Sequence, residues 1–134
     1  MGSRLAAAVP GLRLAYVFGS VARGLQGPMS DLDLAILVDG GHPARTNLLE
    51  RGRLQIELER LLEVRELDLV LLDEAPLQLR YSIVSDGRLL WAADAVQEQR
   101  FRLLTIRMYL DLAPLLELHV RRARERVLGP SSDG

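Results

Sequence analysis

The sequence has no cysteine and no lysine, and among its 134 residues only two histidines, two phenylalanines and one tryptophan. Without cysteine there is no disulfide, no thiolate nucleophile and no zinc–cysteine site. Without lysine, all 17 basic residues are arginine, which excludes a Schiff base or a P-loop lysine. His42 and His119 are too few and too separated in sequence to suggest a metal centre by themselves. No run reaches the about 18 apolar residues of a membrane span, so no membrane association is expected. The opening MGSRLAAAVPGLRL is too short and interrupted for a signal peptide, which makes the cytoplasm the expected location. Seventeen basic residues against 18 acidic ones leave a formal charge of -1, so no direct nucleic-acid binding is expected, although a local arginine site remains open. What is present, 49% hydrophobic and 26% charged residues, fits one soluble domain of ordinary size.

Patterning predicts a small mixed sheet with helices packed against it, an α/β or α+β unit. Strands are expected at Leu12 to Phe18, Leu32 to Val38, Glu66 to Leu72 and Arg88 to Trp91. The second, LDLAILV, is nearly all apolar, as a central strand covered on both faces should be. A short helical turn is expected from Val21 to Gly24, and a helix from about Pro43 to Arg65, where Leu54, Leu58, Leu61 and Leu62 form a stripe. Gly52 weakens that helix by about 1 kcal/mol relative to Ala and marks a break or a close contact. Another helix is expected from Ala75 to Val84, with Pro76 at its start. The last third divides into a helix from Asp94 to Leu112 and a second one to about Leu128, with Pro114 breaking or kinking the chain between them. The expected division is a core over residues 1–92, a helical C-terminal extension of the same domain over 93–128, and a disordered tail over 129–134.

The chemistry concentrates in GSVARGLQGPMSDLD, Gly19 to Asp33. Asp31 and Asp33 are two residues apart at the entrance to an apolar strand, and the strand period puts both on one face. Like charges beside a hydrophobic sheet need compensation, and magnesium supplies it naturally, as a hard ion that takes oxygen ligands. A solvated pair capping the strand is the plainer alternative. Asp68, flanked by leucines on the next strand, is a third carboxylate able to complete a two-metal site or to act as general base. Glu66 and Asp73 are weaker candidates on the same element. Gly19, directly after a strand, lets backbone N–H groups approach a phosphate; Ser20 adds a hydroxyl and Arg23 a bidentate cation.

Gly19-Ser20, the spacer, Asp31-x-Asp33 and the later Asp68 together resemble the minimal nucleotidyltransferases of the DNA polymerase beta-like superfamily. The stretch LDLVLLDEAPLQLRYSIVSDGRLLW and the long helical region after it are similar to the MntA-type adenylyltransferase antitoxins, over about Leu12 to Leu128. The resemblance implies a polymerase beta-like core in which Asp31, Asp33 and Asp68 hold two Mg²⁺ ions. It also implies that Gly19, Ser20, Arg23 and Ser30 grip the nucleotide. ATP is then the substrate, and a HEPN-domain ribonuclease toxin the partner, silenced by AMP transfer onto a tyrosine. Two other readings stay open: a non-catalytic antitoxin acting by binding alone, and transfer to a small hydroxylated molecule such as an aminoglycoside.

Other residues have two readings each. Arg80 and Arg88 suit either a triphosphate or a solvated face. Tyr81 and Trp91 suit adenine stacking or packing, the latter being the default for aromatic side chains. Tyr109 and His119 read as structural. Arg121, Arg122, Arg124 and Arg126 suit either the helix dipole or an acidic partner. With Phe101 and Tyr109 they are candidates for an interface with a partner or with a second copy of the chain, so a homo-oligomer is possible.

Overall fold

The computed structural model describes residues 2–19 and 31–129. The elements in chain order are α1 (Gly2–Ala8), β1 (Leu12–Phe18), β2 (Leu32–Val38), a 3-10 turn (Pro43–Arg45), α2 (Leu48–Leu62), β3 (Leu67–Leu71), α3 (Leu77–Asp86), β4 (Arg88–Ala92) and α4 (Ala95–Leu128). The strands form one sheet in the order β3-β2-β1-β4. β1 runs antiparallel to β2 and to β4, whereas β2 and β3 are parallel. A parallel neighbour requires a crossover, and α2 provides it.

Alternation along the strands divides the core into two layers. Ala15, Val17, Leu34 and Ile36 face α1 and α2, where Leu5, Leu54 and Leu58 are buried against them. Leu14, Tyr16 and Ala35 face the opposite way, onto Ile83 and Val84 of α3 and Phe101 and Ile106 of α4. β2 is covered on both faces, which is why its sequence is apolar almost throughout.

α2 starts where the Asn47 side chain accepts hydrogen bonds from the N–H groups of Leu49 and Glu50, at 2.9 and 3.3 Å. It ends at Glu63, held in the left-handed region at φ 55°. Gly52 does not break it: the helix runs on through that position, and a Cβ there would meet nothing within 4 Å.

Two features differ from the sequence expectation. α1 forms in the Ala-rich opening segment, because Leu5 and Val9 find a place in the first core layer. The last third is one helix of 34 residues with Pro114 inside it, rather than two. A proline removes one N–H and frees the carbonyl of residue i−4, here Leu110. Leu110 lies on the exposed side of α4, where a freed carbonyl is least costly, and the helix continues. No described helix is long and apolar enough to cross a membrane. The turn expected at Val21 to Gly24 lies outside the described residues, as does the expected tail from residue 130 onward.

Candidate active site

The ends of all four strands meet at one edge of the sheet. Asp31 immediately precedes β2, Asp33 is its second residue, Asp68 is the second residue of β3, Gly19 follows β1 and Arg88 opens β4. The parallel register makes Asp33 and Asp68 direct partners, and the antiparallel one places Phe18 opposite Asp33. Neighbouring strands are about 4.8 Å apart, so these two side chains stand next to each other on the α3/α4 side of the sheet.

Asp33 is half-buried, while Asp31 and Asp68 are exposed. The Asp33 carboxyl is held above the usual carboxylate range, first by burial, then by a hydrogen bond shared with Asp68, and then by the charges of Asp68 and Asp31. Two carboxylates side by side disfavour each other's ionised form, a cost that a bound cation would relieve. Asp31 acts on Asp33 through its charge alone. Among the described residues, no three Asp, Glu or His side chains are drawn together as a finished ligand set. The donor chemistry nonetheless fits a hard divalent cation, with carboxylate oxygens only and surplus negative charge beside an apolar sheet.

Gly19 has φ 72°, in the region that L side chains rarely adopt. A Cβ at this position would overlap Oδ2 of Asp33. The backbone conformation requires glycine here, and a side chain would in addition displace the end of the Asp33 carboxylate. Ser20, Arg23 and Ser30 lie outside the described residues.

Several of the weaker sequence candidates have structural partners. Glu66 uses its backbone carbonyl to accept from the N–H of Leu32 at 3.0 Å, joining the starts of β2 and β3. Asp73 is ion-paired with Arg45 of the 3-10 turn. Tyr81 of α3 stacks on Tyr109 of α4, with centroids 3.9 Å apart and ring planes 11° from parallel. Trp91 packs against the first core layer. Arg88 pairs with Val17 at the carboxylate end of the sheet and is exposed, and Arg80 is half-buried on α3. His119 and the arginines that follow it are exposed on the far half of α4.

Sequence reasoning missed one polar cluster. Glu98 is buried, accepts a hydrogen bond from the Tyr16 hydroxyl at 3.0 Å, and is ion-paired with Arg102 at 3.1 Å. Burial and the neighbouring carboxylate raise the Tyr16 phenol well above its ordinary value. Tyr16 shares a sheet face with Asp33, so the cluster ties α4 to the strand beside the site. The only signal in the sequence was the i,i+4 pair Glu98/Arg102, which is usually a surface feature.

A mixed four-stranded sheet whose edge gathers paired aspartates and a left-handed glycine defines a phosphoryl-transfer enzyme of the nucleotidyltransferase type. The "Polymerase beta, Nucleotidyltransferase" family matches residues 4–96, and the chain belongs to that family. It is 33% identical over 104 residues to the protein adenylyltransferase MntA of Shewanella oneidensis, a match covering 78% of this chain and 70% of that protein. Among solved structures, it superposes with TM-score 0.74 and 29% identity on a toxin–antitoxin crystallised with AMP-PNP, covering 91% of this chain and 94% of the other. A tri-AMPylated Shewanella oneidensis HEPN toxin in complex with its MNT antitoxin includes a second neighbour, at TM-score 0.69 and 26% identity, with 91% of both chains covered.

Proposed function

We propose that this chain is an antitoxin that transfers AMP from ATP to a tyrosine hydroxyl of a HEPN-type ribonuclease toxin, in the cytoplasm, and thereby silences the toxin. The observation carrying the reading is the Asp33–Asp68 pair across the parallel ladder, with its surplus of negative charge. The likeness to a protein adenylyltransferase and to antitoxins seated with AMP-PNP or an AMPylated toxin supports the choice of nucleotide and acceptor.

In this reading Asp31, Asp33 and Asp68 would hold two magnesium ions, which would supply positive charge to the triphosphate oxygens. Gly19 leaves backbone N–H groups open to the phosphates, and Ser20, Arg23 and Ser30 complete the seat. The phenolic oxygen attacks the α-phosphorus in line, a new P–O bond forms, and the bond to pyrophosphate breaks. The phenolic proton passes to a carboxylate oxygen of Asp68, the exposed member of the pair. A phenol with a pKa near 10 gives up this proton far more readily than an aliphatic alcohol does, which favours tyrosine as acceptor.

The test is intact mass of the toxin after incubation with this chain, ATP and Mg²⁺. Increments of one adenylyl group are expected, and they should vanish with EDTA or with Asp31→Ala. Neutralisation of the ribonuclease by Asp31→Ala without a mass change would establish a binding antitoxin instead. An unmodified toxin alongside a modified aminoglycoside would establish the small-molecule reading.

A further inference from the structure

The nucleotidyltransferase family matches residues 4–96 and stops where α4 begins, whereas the likeness to toxin–antitoxin structures extends over 91% of the chain. α4 is therefore an addition to the catalytic module that this kind of assembly shares. At 34 residues it is about 51 Å long, more than the sheet beneath it can use. Phe101, Thr105 and Tyr109 hold its inner face to the sheet and α3. The outer face is also apolar: Leu103 and Leu110 are each 58% exposed, Leu104 56% and Leu115 61%. A contiguous exposed apolar stripe of this kind marks an interaction surface. Arg100, Arg107 and Asp111 border this outer stripe, an apolar centre with an arginine rim of the kind that protein interfaces favour.

Building on the function proposed above, we infer that the outer face of α4 is the docking surface for the toxin, which presents an apolar groove bordered by acidic side chains. The likeness to toxin–antitoxin assemblies over 91% of the chain selects this occupant, and the charge of α4 is compatible with it. α4 carries seven arginines against four acidic residues in a chain whose total charge is -1. A second copy laid parallel along the same helix would set Arg121, Arg122, Arg124 and Arg126 against their own equivalents. An acidic partner meets them with opposite charge. Docking here leaves the sheet edge free, so the bound toxin brings its tyrosine to the carboxylates at high effective concentration.

The experiment uses the full chain with Leu103→Glu/Leu110→Glu, and separately with Arg107→Glu, against the HEPN-type protein encoded beside this chain. All three substitutions are at exposed positions, and circular dichroism checks the fold. The expected result is a KM for the toxin raised at least tenfold with kcat unchanged, loss of co-elution, and an unaltered thermal shift on adding ATP and Mg²⁺. Variants that co-elute with and modify the toxin as the unaltered chain does would overturn the docking surface while leaving the transferase reading intact. Variants that convert a dimer of this chain to a monomer without changing toxin binding would overturn it as well, assigning the face to a second copy. Failure of the unaltered chain to modify the toxin would overturn the transferase reading, whereas its failure to co-elute with the toxin would overturn the docking.

Discussion

The carboxylate of Asp33 occupies the space that a side chain at residue 19 would need, so the glycine after β1 and the aspartate of β2 form one unit. Gly19→Ala should therefore act on activity more than on folding. The left-handed conformation costs a non-glycine residue about 1–2 kcal/mol, and the new methyl group must push Asp33 aside. We expect a moderate fall in melting temperature but a loss of turnover of about 100-fold or more, since displacement of a reacting group by about 1 Å has that effect. Parallel melting and toxin-mass assays check the ratio of the two losses.

The raised Asp33 carboxyl makes metal-free stability depend on pH. The folded chain keeps this proton to a higher pH than the unfolded chain, whose aspartates titrate near 3.9. The stabilising contribution is complete below that value and is lost as pH rises through the folded pKa. Asp33→Asn removes both the titration and the repulsion from Asp31 and Asp68. In EDTA, melting curves at several pH values should show the variant gaining on the parent as pH rises towards neutrality. Adding Mg²⁺ should stabilise the parent and leave the variant unmoved.

Tyr16 and Glu98 are mutually dependent. Glu98→Leu strands a buried phenolic hydroxyl, costing about 1–3 kcal/mol. Tyr16→Phe removes the donor and leaves Glu98 to Arg102. The double variant should lose less than the sum of the two single changes, and a double-mutant cycle by urea denaturation measures the coupling directly.

α2 carries two correctable positions. Gly52 is in the helix interior with open space around it, and Glu63 adopts a left-handed conformation at the end. Gly52→Ala and Glu63→Gly should each stabilise the fold by about 0.5–1 kcal/mol, additively, because the sites are three turns apart. Denaturation midpoints with an unchanged urea slope are the expected signature.

Local patterning was enough to read the strands and the Leu54/Leu58 stripe of α2, because periods of 2 and 3.6 are properties of neighbouring residues. The spacing of Gly19, Asp31, Asp33 and Asp68 was likewise visible without coordinates and pointed to the nucleotidyltransferase family. Register was not visible. That Asp68 faces Asp33 follows from the parallel pairing of strands separated by the whole of α2, and that Gly19 makes room for Asp33 follows from the antiparallel pairing of β1 and β2. Tertiary packing also decided that Asp73 binds Arg45, that Tyr81 stacks on Tyr109, and that Glu98, charged and apparently a surface residue, is buried against Tyr16. Pro114 shows the limit most clearly. Its ring and missing N–H are local facts that argue for a break, but whether the helix ends depends on whether the freed carbonyl of Leu110 meets water or hydrocarbon, and only the placement of α4 on the sheet determines that.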